Sequence, residues 1–502
     1  MKYRNIWVEI LLAALLALCI GRLWLMPLPS SFWVDEMATV FVVHHGAADP
    51  SLAVAPQVAS SLYYWLPRLI DRLIGISEIG YRIPSILAMG IALWLVGLLA
   101  ARLIHPAAGW FAAIVCLGLR TINYHAADAR PYALGICLAA AALWFLVRWL
   151  DTATWRNGLL FAIFAALILW VHLIYWPFYA VLSVYVLARL LRKETPVTRM
   201  HAAVVFGILG LILLPALIQA IGLFHEARNH VIIPLPTPKQ LVVSFQARMV
   251  LICGIAALML HFVFRWRGES KKMAGSSLAL IAGWWMCQPV GLALFSYATG
   301  YSVFVPRYLS LSLPAVGLAA TVVVSYLMPK EYWKPAALAL AAGVLLMKGS
   351  WTQTWPVHDD SNWRDAAHAV NQAVVNPGTP VLCLSPFIEA QWPVWRPDYK
   401  LPGFLYCHLE VYPIRGQTCL FPFTLYETPQ EAEQYAESLC RTVFPASGRF
   451  IIYGGRVAAT RWREWFAARP ELANWSNRKL GKFDGVDAVI FEKPVGSGPM
   501  AH

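Results

Sequence analysis

Apolar runs of about twenty residues recur along most of this chain, and nothing else in it constrains the fold as tightly. A helix needs about 20 apolar residues to cross the hydrocarbon core of a bilayer. Inside that core each backbone N–H and C=O must be satisfied within the protein, which leaves helices or closed barrels. The opening run, "IWVEILLAALLALCIGRLWLM", has the length and no barrel-like alternation. Further runs fall at 82–103, 107–120, 131–149, 157–172, 174–191, 202–223, 241–264, 276–298, 306–327 and 334–348. That makes about eleven transmembrane helices at this length criterion. Composition agrees: 59% of residues are hydrophobic and 13% charged, against about 25% charged in a typical soluble domain. The expected fold class is a polytopic α-helical membrane protein with a soluble C-terminal domain.

The formal net charge of +13 does not make this a nucleic-acid-binding protein. Its basic residues sit in short loops between the apolar runs, in "RWLDTATWR", "RLLRKETPVTR", "RWRGESKK" and "PKEYWK", as the positive-inside rule requires of cytoplasmic loops. No small-x-small cleavage site follows the first run, so it reads as an uncleaved helix with the N-terminus in the cytoplasm. An odd number of helices then places the C-terminal part outside. The expected location is a bacterial inner (plasma) membrane, with that part in the periplasm or its equivalent.

From about residue 349 the character changes, giving two expected domains: a transmembrane catalytic domain over 1–348 and an extracytoplasmic α/β domain over 349–502. "NWRDAAHAVNQAVV" and "ATRWREWFAARPEL" read as helices, and "TPVLCLS", "GRFIIYG" and "VDAVIFEK" as strands. Of nine cysteines, the four outside the spans are Cys383, Cys407, Cys419 and Cys440. In an oxidising compartment an even number suggests two disulfides, with Cys407–Cys419 across the hairpin-like "HLEVYPIRGQT" as first choice. Buried free thiols are the alternative reading.

Ionisable residues at membrane depth raise a functional hypothesis by default. The first outer loop, "SSFWVDEMATVFVVHHG", carries Asp35, Glu36, His44 and His45, and an amphipathic stretch then leads to Arg82 at the mouth of the second span. A second loop, "RTINYHAADARPYALG", offers Tyr124, His125, Asp128 and Arg130, and a late one, "YATGYSVFVPRYLS", offers Arg307 and Tyr308. Each has a plainer reading. Asp35 and Glu36 could cap a helix, the arginines could be interfacial anchors, and His172 in "LWVHLIYW" could be a satisfied buried histidine. His225, Glu226 and His230 could hold a metal, but the i, i+5 spacing does not put both histidines on one helix face. Together, though, carboxylates and arginines gather on one side. Carboxylates take protons from hydroxyls, and arginines grip phosphate with a planar fork of donors.

Four stretches resemble, in order and spacing, the GT-C glycosyltransferases related to protein O-mannosyltransferases and to the lipid A aminoarabinose transferase. They are "FWVDEMAT", "SLYYWLPRLIDRLIGISEIGYRIPSILAMG", "NYHAADARPYALGICLAAAALW" and "VPRYLSLSLPAVGLA", within residues 1–330. The resemblance implies an enzyme using a polyprenyl-phosphate-linked sugar, with Asp35 as catalytic base, Glu36 as its neighbour and Asp128 as a second acid. Arg82, Arg130, Arg307 and Tyr308 match positions expected near the donor phosphate, and His44, His45, Tyr124 and His125 are left to acceptor contact or positioning. Where many relatives carry His-Pro-Pro, this chain has Ala59, Ser60 and Ser61.

No cofactor is certain in this scheme; a divalent cation is an open alternative without a clear ligand set. The expected partners are the lipid-linked donor, membrane lipids and a glycolipid, polysaccharide or protein acceptor. The rival readings are a flippase for lipid-linked sugars, a polymerase or ligase using a lipid diphosphate donor, and a non-catalytic scaffold. A flippase site would lie near the midplane on broken, repeated helices, and no such repeat is present.

Overall fold

The computed structural model describes residues 2–46, 61–227, 234–265, 273–348, 356–425 and 428–494. The chain divides into two compact units, one of Met1–Leu28 with Leu52–Pro356 and the other of Pro29–Ser51 with Val357–His502. The segment that carries Asp35 therefore clusters with the C-terminal domain and not with the helices on either side of it.

Among the described residues, eight helices of the first unit are long and apolar enough to cross a membrane. This is a multi-pass membrane protein, though fewer of its helices reach spanning length than the sequence suggested. The run at 107–120 becomes the nine-residue helix Gly109–Leu117 followed by Arg120–Ala126. The runs at 157–172 and 334–348 become helices of 17 and 16 residues, Trp155–Val171 and Trp333–Lys348. Each of these runs was itself shorter than a bilayer needs.

Burial sorts the spanning helices. Tyr132–Thr152 and Pro306–Ser325 are 78% buried over their most apolar windows, whereas Ile6–Leu25 and Ala247–Phe264 are 11% and 17% buried. The first pair forms the centre and the second pair the rim. Trp94, Leu211, Phe262 and Val263 are exposed on their helices, which in a bilayer is the lipid-facing surface. Where the helices Glu78–Leu103 and Gly109–Leu117 meet, Gly97 and Gly109 touch backbone to backbone. A Cβ on either would come within 3.2 Å of the other's carbonyl oxygen. Small residues are what allow such close approach between membrane helices. The helix Trp65–Ile74 leaves Trp65, Leu69 and Leu73 exposed while Asp71 accepts a bond from the Tyr81 hydroxyl at 2.8 Å. That pattern suits a helix lying in the membrane interface.

Ion pairs fix the ends of the bundle. Asp151 receives Arg102 at 2.7 Å and Arg189 at 3.0 Å, so the C-terminal ends of Glu78–Leu103, Tyr132–Thr152 and Phe178–Leu191 share one face. Their starts, with Arg82, Tyr132 and Tyr175 nearby in sequence, lie at the opposite end.

The second unit contains a five-stranded sheet. Its strands are β1 (Pro380–Leu384), β2 (Gln417–Phe421), β3 (Arg449–Gly455), β4 (Ser476–Lys479) and β5 (Val486–Glu492), in the order β2-β1-β3-β5-β4. The β2, β1 and β3 strands are parallel, and β5 runs antiparallel to both its neighbours. Helices cover both faces, as buried parallel strands require. On one face Phe450 stacks between Phe444 at 3.9 Å and Phe491 at 4.7 Å, under the helix Arg456–Ala467 that brings Trp462 and Phe466. On the other, Tyr453 packs against Trp363 of the helix Trp363–Ala373 and against His408. "TPVLCLS", "GRFIIYG" and "VDAVIFEK" supply β1, β3 and β5.

The hairpin expected between Cys407 and Cys419 is not formed. Cys407 begins the short helix Cys407–Val411, and Cys419 lies in β2, parallel to β1 with Leu382 as its partner. Cys383, Cys407, Cys419 and Cys440 are all free and all buried, so the structure contains neither of the two bridges suggested by cysteine parity. Burial pushes the Cys419 thiol up to about 11 and the Cys440 thiol up to about 12, and raises Cys383 and Cys407 as well. Thiolates are the reactive form. A maleimide should therefore leave all four unlabelled in the folded protein and label all four in denaturant without reductant. A need for reductant in denaturant would restore the bridges.

Candidate active site

In the membrane unit the polar residues gather at the end opposite Asp151. Arg82 is fully buried in the helix Glu78–Leu103 and donates from Nη1 to the Leu28 carbonyl at 2.7 Å. It thereby ties the end of the first helix to the second, a positioning contact beyond the anchor role open to it from sequence. One turn on, Ser85 donates from Oγ to the Asp128 carbonyl at 2.5 Å and lies 3.4 Å from that of Arg130. Ser85 thus pins the loop that carries both residues. Asp128 is fully buried, with a carboxylate oxygen 3.9 Å from His125 Nδ1. That is ion-pair distance but too long for a hydrogen bond. Tyr124 meets the His125 ring edge-on at 5.7 Å.

His172 stands at the centre. Its ring lies 6.0 Å from Tyr132, 5.3 Å from Tyr175 and 5.4 Å from Tyr308. The charges of Arg130 and Arg307 both act on it. Nδ1 accepts from the Ile174 N–H at 3.4 Å, while Nε2 has no hydrogen-bond partner among the described residues. Tyr175 bonds Ser310 at 3.1 Å through its hydroxyl, and its ring packs over Gly135, where a Cβ would overlap it. Arg307 lies over the Tyr308 ring at 5.5 Å. Arg130 and the adjacent pair Arg307 and Tyr308, far apart in sequence, therefore share one neighbourhood, and all three are half-buried. Sequence reading left His172 as a bland buried histidine and passed over Tyr132, Tyr175 and Ser310. The available signal was a histidine inside an apolar run, next to the Pro-containing hinge "VHLIYWP".

The remaining candidates lie in the second unit, on the helix Val34–His45. Glu36 is fully buried at its third position and accepts from the Trp33 N–H at 3.3 Å, which is the capping geometry open to it from sequence. Asp35 lies half-buried beside it, and its carbonyl accepts from Thr39 Oγ1 at 3.3 Å. His44 and His45 end the helix, and both reach Glu410. Among the described residues, neither unit by itself brings three metal-ligating side chains to one point. His230 lies outside the described residues, as do the side chains of His225 and Glu226.

Comparison with known proteins adds the following. Residues 59–219, about a third of the chain, match the family described as dolichyl-phosphate-mannose-protein mannosyltransferase. No curated protein sequence matches significantly. Among solved structures, ArnT from Cupriavidus metallidurans in the apo state superposes with a TM-score of 0.56 at 13% identity, covering 97% of this chain and 98% of that one. ArnT from the same organism bound to undecaprenyl phosphate gives 0.56 at 14% identity, covering 98% and 99%. The chain thus shares the fold of ArnT along its length, and the family match spans Arg82, Tyr124, His125, Asp128 and Arg130.

Proposed function

We propose that this protein is a glycosyltransferase that moves a sugar from a polyprenyl-phosphate donor to a hydroxyl acceptor on the outer face of a bacterial inner membrane. The observation that carries the reading is the gathering of Arg130, Arg307 and Tyr308 around His172 at one end of the membrane bundle. The likeness to an ArnT that holds undecaprenyl phosphate supports it.

In this reading the arginines meet the charge that develops on the lipid phosphate as the sugar departs, and arginine forks suit that task without a metal. Asp35 accepts the proton of the acceptor hydroxyl while its oxygen attacks the anomeric carbon. The bond from that carbon to the phosphate oxygen breaks, and the lipid monophosphate leaves with the electron pair. One base and no covalent sugar intermediate give inversion; retention would need a second carboxylate as nucleophile. Asp128 has a positioning role, with Ser85 fixing the backbone around it.

The test is mass spectrometry of envelope glycolipids, polysaccharides and glycoproteins from cells with and without the gene, followed by complementation. A sugar that disappears from one class and returns with the wild-type gene identifies sugar and acceptor together. An unchanged envelope, with accumulation of a lipid-linked sugar on the cytoplasmic face, would favour a flippase instead.

A further inference from the structure

The α/β domain could be a module that recognises the acceptor, yet its contacts point elsewhere. We propose that it is a positioning element of the catalytic centre, and that Tyr412 and Glu410 are the residues through which it sets the helix carrying Asp35. The proposal rests on the reading of Asp35 as base given above.

The helix Val34–His45 is held at both ends by residues more than 300 positions away in sequence. Ahead of it, Arg364 donates from Nη1 to the Pro29 carbonyl at 3.0 Å, and the His358 N–H donates to Ser30 Oγ at 3.2 Å. The Arg364 N–H donates to Ser31 Oγ at 3.2 Å. The Tyr412 hydroxyl accepts from the Phe32 N–H at 2.9 Å and from Ser31 Oγ at 3.4 Å. At the far end Glu410 accepts from His44 Nδ1 at 2.8 Å and from His45 Nε2 at 3.0 Å. Between them Phe41 meets Phe404 edge-on at 6.0 Å.

Each grip has a distinct physical effect. Side chains at i and i+1 of a helix do not face the same way. A single carboxylate bonded to both His44 and His45 therefore fixes the rotation of the helix about its axis, which sets the direction of Asp35. The Tyr412 bond to the backbone just before the helix fixes its position along that axis. A helix of twelve residues is marginal in isolation, so its setting comes from these partners. Glu410 and Tyr412 are themselves anchored: they flank the end of the helix Cys407–Val411, whose His408 is packed against Trp363 and Tyr453 of the sheet unit at 5.1 and 5.8 Å. Burial holds His408 down at about 3, so it stays neutral as a packing residue. Continuity runs from the sheet through His408 to Glu410 and Tyr412, and from them to Asp35. Misplacing a reacting group by about 1 Å can cost about 100-fold in rate, so a domain that touched no substrate would still govern turnover.

The test uses the full-length protein with Glu410→Ala, Glu410→Gln and Tyr412→Phe. Product yield is measured in complemented cells, binding of undecaprenyl phosphate on purified protein, and hydrogen exchange over residues 34–45. Glu410→Ala and Tyr412→Phe should cut transfer by about ten-fold or more, leave undecaprenyl phosphate affinity within about two-fold, and speed exchange over 34–45 without exposing β1 or β3. Glu410→Gln, whose oxygen still accepts, should recover part of the activity. Adding His44→Ala and His45→Ala to Glu410→Ala should cause little further loss, because the three act as one unit. Wild-type transfer in both Glu410→Ala and Tyr412→Phe, beside an inactive Asp35→Asn, overturns the proposal and leaves the base reading standing. An active Asp35→Asn removes the base reading, and the proposal with it.

Discussion

Asp35→Asn is expected to leave the protein folded and able to bind undecaprenyl phosphate while transfer falls by about 100- to 10,000-fold, the usual worth of a positioned general base. The carboxamide has nearly the same shape and keeps one acceptor oxygen, so what is lost is the ability to take a proton. The side chain is half-buried in the first turn of its helix, where losing the favourable charge at a helix start costs only about 0.3–1 kcal/mol. The neighbouring carboxylate supplies the contrast. Glu36 accepts from the Trp33 N–H, so Glu36→Ala should show mainly as lost stability of about 0.5–2 kcal/mol, as for other capping residues. Thermal unfolding together with transfer, measured on both variants, separates the roles. Transfer by Asp35→Asn within a few-fold of wild type would remove Asp35 from the chemistry.

The membrane helices were legible because the bilayer imposes a length and a composition that few other environments demand. The structure departs from that reading where runs were short: at residues 107–120 the extended backbone at Leu119 separates two helices. In the soluble unit, β1, β3 and β5 were readable as continuous buried apolar runs. β2 and β4 were not, since "QTCLF" and "SNRK" begin or remain polar and exposed at the sheet edges. The loop carboxylates and arginines stood out by charge, whereas His172, Tyr175 and Ser310 depend on contacts between distant helices. Least legible was the attachment of residues 29–45 to the C-terminal unit. Tyr412 and Glu410 are ordinary residues in sequence, and no local pattern tells that they grip a helix more than 360 positions earlier. Cysteine parity was no guide for a related reason: an even count says nothing of geometry, and the structure holds all four thiols buried and free.

Arg130→Ala and Arg307→Ala should each weaken binding of undecaprenyl phosphate by about 10- to 100-fold, the worth of a charge-assisted hydrogen bond of about 1.5–3 kcal/mol. Both guanidinium groups are half-buried at the same end of the bundle, and both act electrostatically on His172, so an anionic headgroup placed there would feel the two together. Lysine at either position should restore part of the loss, because the charge returns without the planar fork. Tyr308→Phe keeps the ring under Arg307 and should change affinity little. The control lies at the other end of the bundle. Arg189 pairs with Asp151 at 3.0 Å and is largely buried there, so Arg189→Ala should lower thermal stability and leave affinity for the lipid phosphate unchanged. A binding assay on purified protein in detergent decides the matter, with salt held constant because exposed charge pairs are screened. Unchanged affinity in both Arg130→Ala and Arg307→Ala would return these arginines to the role of interfacial anchors. Loss in Arg189→Ala equal to theirs would mean that the binding assay reports folding and not recognition.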